Sequence, residues 1–151
     1  MKRKYKTLDE TNYDYKIQFH NDLFKFINEI ENIYQLNFFM FCIFKIQSGN
    51  ILTKREISFE ELKINMNYKQ NNNSNFNETL IFFKNKDEDY ILQTEVKYDE
   101  KKIYVYCNSD YEYTLFDLKS NFTKIQAQEF SNIENMKNKK IYLYLKRFEN
   151  T

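Results

Sequence analysis

The chain has 151 residues, of which 19% are aromatic and 30% charged, and its formal net charge is +1. This length predicts one domain whose core is large enough to fold without a disulfide or a metal. The near-neutral charge does not support binding of nucleic acid through a general basic excess, nor acidic mimicry of DNA. We expect residues 1–13, which are charged and aperiodic, to form a flexible arm, and residues 14–151 to form a single β-rich domain.

The composition also reflects its genetic source. Glycine occurs once and proline never, whereas Lys, Asn, Ile, Phe and Tyr are frequent, so we infer an AT-rich genome such as that of a ciliate, a low-GC bacterium or a phage. No apolar run reaches the roughly 18 residues of a membrane span, and no signal-peptide core follows the basic start. We therefore expect an intracellular protein, in the cytoplasm or the nucleus.

The first half of the chain begins with a helical pattern. Apolar residues spaced by three and four predict an N-terminal amphipathic helix over about 22–35. The run 38–46 is short and rich in aromatic and β-branched residues, which predicts a central strand covered on both faces. The only glycine, Gly49, predicts a tight turn that leads into a strand near 51–58.

The middle of the chain contains short runs of strand-like composition. Alternation predicts a strand over 62–68, and the Asn-rich stretch 71–77 predicts a loop. Further strands are expected at 79–83, 90–98, 103–107 and 111–118. The loops between these later runs are short, so consecutive strands should pair antiparallel as a meander.

The end of the chain predicts a short C-terminal helix near 125–137, before a last strand over 141–148. The resulting fold class is α+β and β-rich, either an antiparallel meander or a small OB-like barrel with the N-terminal helix. Runs that are apolar on both faces supply the expected core phenylalanines, which are Phe38, Phe39, Phe41, Phe44, Phe82 and Phe83.

Catalytic and metal-binding patterns are missing from the sequence. His20 is the only histidine, and Cys42 and Cys107 lie far apart inside apolar runs, so we expect two buried reduced thiols and no zinc site. One glycine cannot build a phosphate-binding loop. The acidic pairs fall in predicted loops, where carboxylates are ordinarily solvated. We therefore expect neither enzymatic activity nor a cofactor nor a metal.

A mixture of tyrosines and bases is the most informative pattern. In both 101–106 and 141–148, tyrosines alternate with aliphatic residues and lie beside Lys or Arg. If the aliphatic side is core, the rings face outward, where they could stack on bases or contact a protein. A third interpretation is that the rings cover a second layer of structure. The candidate surface comprises Lys101, Lys102, Tyr104, Tyr106, Tyr142, Tyr144, Lys146 and Arg147.

These observations favour binding over chemistry. The first hypothesis is a non-catalytic subunit of a larger complex, comparable at the level of fold to OB-fold subunits of telomere or replication complexes. Its partners would be proteins, single-stranded nucleic acid or both, and no membrane. The alternative is a small phage or bacterial inhibitor, of the immunity or anti-CRISPR type, that blocks another protein's active site. A third hypothesis is a cup for a hydrophobic ligand between the helix and the sheet.

Overall fold

The computed structural model describes residues 16–48, 54–65, 73–116, 118 and 120–149. Its strands are β1 (Lys16–His20), β2 (Arg55–Ser58), β3 (Leu92–Lys97), β4 (Lys102–Cys107) and β5 (Phe122–Gln126). Its helices are α1 (Phe24–Ile27), α2 (Ile33–Gln47), α3 (Phe59–Asn65), α4 (Asn73–Lys84), α5 (Ala127–Asn132) and α6 (Met136–Glu149), and 3₁₀ turns span Asn21–Leu23 and Ser109–Thr114. The predicted arm at 1–13 and the turn at Gly49 lie outside the described residues.

The strands form two antiparallel sheets. One contains β1 and β5, and the other has the order β2-β4-β3. Within the second sheet, Val105 of β4 lies opposite both Arg55 of β2 and Thr94 of β3. The α+β class with antiparallel pairing is therefore confirmed, but the expected β-rich balance was wrong, because far more of the described residues lie in helices than in strands. The sheets do not close into a barrel within the described ranges, so the OB-like alternative is not supported.

Helix α2 runs through the centre of the molecule and replaces the strand predicted at 38–46. Its N-cap is Asn32, whose side-chain oxygen accepts a hydrogen bond from the Gln35 backbone N–H at 2.9 Å. A helix that is apolar on all sides is stable when other elements cover it, and most of α2 is buried. The helix predicted at 22–35 is instead divided into the turn at Asn21–Leu23, α1 and the start of α2. None of the described helices combines the length and apolar character needed to cross a membrane.

The aromatic core joins α2 to α4 and to the loop before β3. The Phe38 and Phe83 rings stack with 4.6 Å between their centres. The ring centres of Phe39 and Tyr90 each lie 6.3 Å from that of Phe83 and 6.5 Å from one another. Of the six phenylalanines assigned to the core from sequence, four are fully buried. Phe44 and Phe82 are partly buried and pack against the same core, so the core assignment is confirmed.

Three of the expected strands are present at the predicted positions, and several others are not. The run 90–98 contains β3, 103–107 falls within β4, and the run near 51–58 contains β2, with 51–53 outside the described residues. The other expected strands were wrong where they are described: 62–65 belongs to α3, 79–83 to α4 and 111–114 to a 3₁₀ turn. These runs are short, and an apolar run of four to eight residues does not distinguish a strand from a buried helical segment.

The C-terminal prediction was wrong about the last element. Residues 141–148 lie in α6, and the expected helix at 125–137 is divided between β5, α5 and the first turn of α6. The inward side of α6 follows a helical spacing, because Met136, Lys139 and Leu143 recur at intervals of three and four and face the core. The alternation of tyrosine with aliphatic residues therefore does not reflect a strand.

Both cysteines are free thiols, Cys42 buried and Cys107 partly buried. Burial raises the pKa of Cys42 well above its ordinary value, with a further increase from the nearby Glu61 carboxylate that Lys45 partly offsets. Burial, with a smaller effect of Glu112, raises the pKa of Cys107 to about 12.

Both thiols should therefore resist thiol–disulfide exchange with an added reagent in the folded protein. Because the thiolate is the reactive form, we expect reaction with Ellman's reagent at pH 8 to be more than about 100-fold slower than for free cysteine. Absorbance followed over time, without and with urea, would measure the reaction rates of the folded and the unfolded protein. Rapid modification of either thiol in the absence of urea would contradict the buried positions.

Candidate nucleic-acid interface

Helix α3 is held at both its start and its middle. The Ser58 side-chain oxygen accepts a hydrogen bond from the Glu61 backbone N–H at 3.1 Å, which caps the helix. The Phe59 backbone N–H donates to the Lys101 carbonyl at 2.9 Å, so the helix start is tied to the turn between β3 and β4. The Glu61 carboxylate lies 2.7 Å from the Lys45 ammonium and links α3 to α2.

Helix α4 has one buried and one exposed side. Its buried residues recur at helical spacing and are Phe76, Thr79, Leu80 and Phe83. Its exposed residues also lie three or four apart, and they are Ser74, Asn77, Glu78, Ile81 and Lys84. Ile81 is 50% exposed in the middle of this otherwise polar surface. We call these five exposed residues the α4 surface.

The β3–β4 hairpin adjoins both helices at Tyr98. The Tyr98 ring centre lies 6.3 Å from that of Phe59 at the start of α3. The Lys84 ammonium lies 5.5 Å from the centre of the same ring. Three parts of the fold therefore meet at Tyr98: the hairpin turn, the start of α3 and the last residue of α4. Lys84 lies at this junction, and the exposed Lys101 lies on the hairpin turn beside it. Neither lysine forms an ion pair with a described carboxylate.

The solvent-facing side of the β2-β4-β3 sheet carries balanced charges. The Lys102 ammonium lies 2.5 Å from a Glu56 carboxylate oxygen and 3.7 Å from a Glu100 oxygen. Glu95 pairs with Lys97 at 2.9 Å and with Lys54 at 3.4 Å. The hydrogen bond from Lys102 holds the pKa of Glu56 below its ordinary value. Several lysines of this sheet are thus already neutralised by carboxylates.

The first half of the candidate tyrosine surface lies on β4 as expected. Ile103 and Val105 are buried, while Tyr104 and Tyr106 are partly exposed on the other side of the strand. The Lys102 ammonium lies 5.4 Å from the Tyr104 ring centre, and the Lys54 ammonium lies 4.9 Å from that of Tyr106. Rings and cations are therefore together here.

The second half of that surface lies on a different element, α6. The Tyr142 hydroxyl accepts a hydrogen bond from the Gln126 backbone N–H at 3.1 Å. Tyr144 donates to the Asn28 side chain and stacks on Phe24 with 5.0 Å between ring centres. Of the interpretations left open for these two rings, packing against another layer of structure is the one that describes them here. In a strand, residues two apart lie on the same face, but in a helix they lie on different sides. Both tyrosines are packed against the core.

Lys146 and Arg147 complete the second half. Lys146 pairs with the Glu149 carboxylate at 3.2 Å, and the Arg147 guanidinium lies 5.2 Å from the Phe24 ring centre. Both side chains are partly buried. The structure thus divides the eight candidate residues between β4 with its turn and α6, rather than bringing them onto one strand surface.

His20 acts as a local cap. Its Nδ1 accepts a hydrogen bond from the Asp22 backbone N–H at 3.0 Å, and its ring meets that of Tyr113 edge-on at 5.3 Å. In the part of the chain that the structure describes, no three His, Cys, Asp or Glu side chains are grouped to hold a metal.

Sequence reasoning missed the α4 surface because the Asn-rich stretch 71–77 was interpreted as a loop. A helical signal was present, since Phe76, Leu80 and Phe83 are spaced by four and three residues. It was obscured by the four aromatic and β-branched residues at 79–83, which favour strands.

The order of elements from α2 to β4 defines the class of the fold. A helix, a strand, two consecutive helices and an antiparallel hairpin follow one another, and the first strand pairs with the second strand of the hairpin. This is the order of elements in a winged helix, in which α3 and α4 take the places of the two helices of the helix-turn-helix and β3–β4 takes that of the wing.

The chain belongs to the family described as initiator replication protein, WH1, whose family model matches residues 16–146. No curated protein and no solved structure matches the chain. Membership associates the chain with replication and nucleic acid, which agrees with the replication-type hypothesis at this coarser level. It lends no support to the inhibitor alternative.

Proposed function

We propose that this domain binds duplex DNA during replication initiation, with the α4 surface in the major groove and the wing beside the phosphate backbone. The observation that carries the proposal is the exposed face of α4, which is the second helix of a helix-turn-helix and points polar side chains away from the core. In this motif the second helix is the one that enters the major groove. The proposal concerns binding, with no catalytic step assigned to the chain.

The side chains of the α4 surface are suited to reading base edges. An asparagine such as Asn77 can make two hydrogen bonds to adenine, and a glutamate such as Glu78 can accept from the amino group of cytosine. Ile81 offers an apolar contact for a thymine methyl group. Because these contacts depend on the base, the surface would supply sequence preference more than general affinity.

General affinity would come from few cations. Lys84 at the end of α4 and Lys101 in the wing turn are exposed and make no ion pair with the described carboxylates. Lys54, Lys97 and Lys102 are paired with glutamates. We therefore expect affinity to fall with salt less steeply than for a strongly basic DNA-binding domain.

Reversing the two unpaired charges should weaken binding to duplex DNA. The variant Lys84→Glu/Lys101→Glu replaces two attractive phosphate contacts by two repulsive ones, so we expect at least about a ten-fold loss of affinity at low salt. Fluorescence anisotropy with a labelled, random-sequence duplex pool measures it. Lys25→Glu/Lys124→Glu, on α1 and β5, reverses the same number of charges outside α4 and the wing and should bind almost as well as the unmodified chain. Equal losses in the two variants would contradict this interface, and no binding by the unmodified chain would remove the proposal itself.

A second candidate ligand is a single strand. Tyr104 and Tyr106 are partly exposed with a lysine near each ring, an arrangement on which bases can stack. The same lysine that lies over Tyr104 is bound to Glu56, and the Lys54 over Tyr106 is bound to Glu95, which weakens their pull on phosphates. Labelled single-stranded DNA and RNA in the same titration decide between the two. Tighter binding of a single strand, lost in Tyr104→Ala/Tyr106→Ala, would favour the sheet over α4.

A further inference from the structure

A cleft of about 510 Å³ opens between α1 and α6. Its other walls are the 3₁₀ turns Asn21–Leu23 and Ser109–Thr114. We call it the α1–α6 cleft. Its volume falls within the range of pockets that hold small molecules. The elements that form it are distinct from α3, α4 and the wing, so the cleft is separate from the surface proposed to bind DNA.

Two basic side chains line the cleft, and neither pairs with a carboxylate of the described residues. Arg147 reaches the cleft from α6, and its guanidinium lies 5.2 Å from the Phe24 ring centre. Lys25 reaches it from α1, and its ammonium lies 5.5 Å from the Phe26 ring centre. Contacts with ring faces leave the N–H groups of both cations able to bond to an anion.

Two asparagines add further donors to the cleft. The Asn21 Oδ1 accepts a hydrogen bond from the Thr123 hydroxyl at 2.6 Å, and the Asn28 Oδ1 accepts one from the Tyr144 hydroxyl. Because both amide oxygens are engaged, these side chains can offer a ligand mainly their NH₂ groups. Together with the two cations, they make hydrogen-bond donors predominate in the cleft. A ligand with several acceptor oxygens fits this arrangement.

Asp22 is the one acid among the described residues that line the cleft. Its carboxylate accepts a hydrogen bond from the Tyr113 hydroxyl at 2.6 Å and lies 3.6 Å from the His20 Nδ1. This carboxylate therefore already has a donor inside the protein, although its charge opposes the binding of an anion. It provides a direct test of the sign of the ligand's charge.

The surroundings of the cleft do not add a general positive field. Acidic side chains at neighbouring positions in the chain are Glu29, Asp110, Glu112 and Glu149, of which Glu149 pairs with Lys146 at 3.2 Å. These charges weaken the long-range attraction of an anion. Recognition must therefore come from donors in direct contact with the ligand.

Aromatic side chains give the cleft a second kind of contact. The Tyr113 ring is 47% exposed, and its centre lies 6.5 Å from that of Tyr111. Tyr111 is held in turn by an edge-on contact with Phe26, at 4.9 Å between ring centres. An exposed tyrosine held in this way can stack on a nucleobase. A nucleotide has both features that the cleft would recognise, a phosphate group and a flat aromatic base.

We propose that the α1–α6 cleft binds a nucleotide, either free or at the 5′ end of a single strand. Its phosphate lies at Arg147 and Lys25, and its base stacks on the Tyr113 ring. An arginine can hold two phosphate oxygens at once, and the amide groups of Asn21 and Asn28 can donate to others. Because stacking on tyrosine tolerates every base, we expect little preference among the four bases.

The probe is AMP labelled on its ribose with a methylanthraniloyl group, followed by fluorescence anisotropy, with unlabelled compounds as competitors. AMP should compete at least about ten-fold more strongly than adenosine, which lacks the phosphate. Arg147→Gln should lose at least about ten-fold in affinity for AMP. Tyr113→Leu should lose about five-fold or more, because the base has no ring to stack on. Lys137→Gln, which removes one charge from an exposed position on α6, should bind AMP like the unmodified chain.

A gain of affinity provides a test that a folding defect cannot imitate. Asp22→Asn removes the negative charge from the cleft but keeps an oxygen that can accept from the Tyr113 hydroxyl. Its affinity for AMP should therefore rise by about three-fold or more. Thermal unfolding followed by circular dichroism verifies that every variant is folded.

The competitors also identify the source of the nucleotide. Stronger competition by a 5′-phosphorylated tetranucleotide than by AMP would indicate a strand end, and weaker competition a free nucleotide. Equal competition by AMP and inorganic phosphate would overturn the proposal, and so would an Arg147→Gln variant with unchanged affinity for AMP. Duplex binding by Arg147→Gln should equal that of the unmodified chain, so failure of this inference and failure of the proposed DNA binding are measured separately.

Discussion

Replacement of Phe83 by alanine is expected to lower the free energy of unfolding by about 3–5 kcal/mol. Phe83 is 2% exposed and joins α4 to α2. Its ring stacks on Phe38 at 4.6 Å and lies 6.3 Å from both Phe39 and Tyr90, measured between ring centres. Truncation removes these contacts and leaves a cavity that close-packed neighbours can fill only in part.

Urea unfolding followed by circular dichroism at 25 °C measures this loss. The matched control is Ile81→Ala on the same helix, whose side chain is half exposed, and it should change stability by about 0.5 kcal/mol or less. Since small domains are stable by only about 5–15 kcal/mol, the Phe83→Ala protein should also unfold at a markedly lower temperature. A cost similar to that of the control would mean that α4 does not pack on α2 through this ring. The position of the α4 surface would then be unsupported.

Replacement of Lys139 by methionine is expected to stabilise the protein by about 1–2 kcal/mol at pH 7. Lys139 is 1% exposed, its ammonium bonds to the Phe130 carbonyl, and it lies 4.0 Å from the Phe130 ring centre. No described carboxylate pairs with it. Burial lowers its pKa from 10.5 to about 8. That difference corresponds to at most about 3.4 kcal/mol, from which the lost hydrogen bond and ring contact must be subtracted.

The pH dependence of the Lys139 effect has a definite sign. Below pH 8 the lysine is protonated in both the folded and the unfolded state, so the penalty of burying the charge is fully present. Between about pH 8 and pH 10.5 the unfolded chain binds more protons than the folded one, so stability due to this group rises with pH. The advantage of Lys139→Met should therefore shrink across that window.

Urea unfolding at pH 7 and pH 9.5 compares Lys139→Met with the unmodified chain. Lys137→Met, at an exposed position on the same helix, controls for the change of residue type and should show no such change in relative stability. If Lys139→Met were equally destabilised at both pH values, the buried ammonium would be better compensated than its described contacts indicate.

The candidate tyrosine surface shows which parts of the site could be predicted from the local sequence pattern. On β4 the alternation of Ile103 and Val105 with Tyr104 and Tyr106 was interpreted correctly as that of a strand with one buried face. Successive side chains of a strand point to opposite faces, and β4 pairs with a strand on each side. Over 141–148 the same alternation occurs in a helix, where residues two apart lie on different sides. Both segments show the alternation, but it separates a buried from an exposed face only in the segment that is a strand.

The sequence by itself determined the α+β class, the buried phenylalanines and the hairpin of β3 and β4. Each depends on features with one physical interpretation: strongly apolar side chains leave water, and two alternating runs joined by a short polar turn pair antiparallel. Tertiary structure alone decided that 38–46, 79–83 and 141–148 are helical. Aromatic and β-branched residues favour strands only slightly, and the gain from burying α2 and α4 against each other exceeds that preference. The exposed face of α4, and with it the surface proposed to bind DNA, follows from that packing.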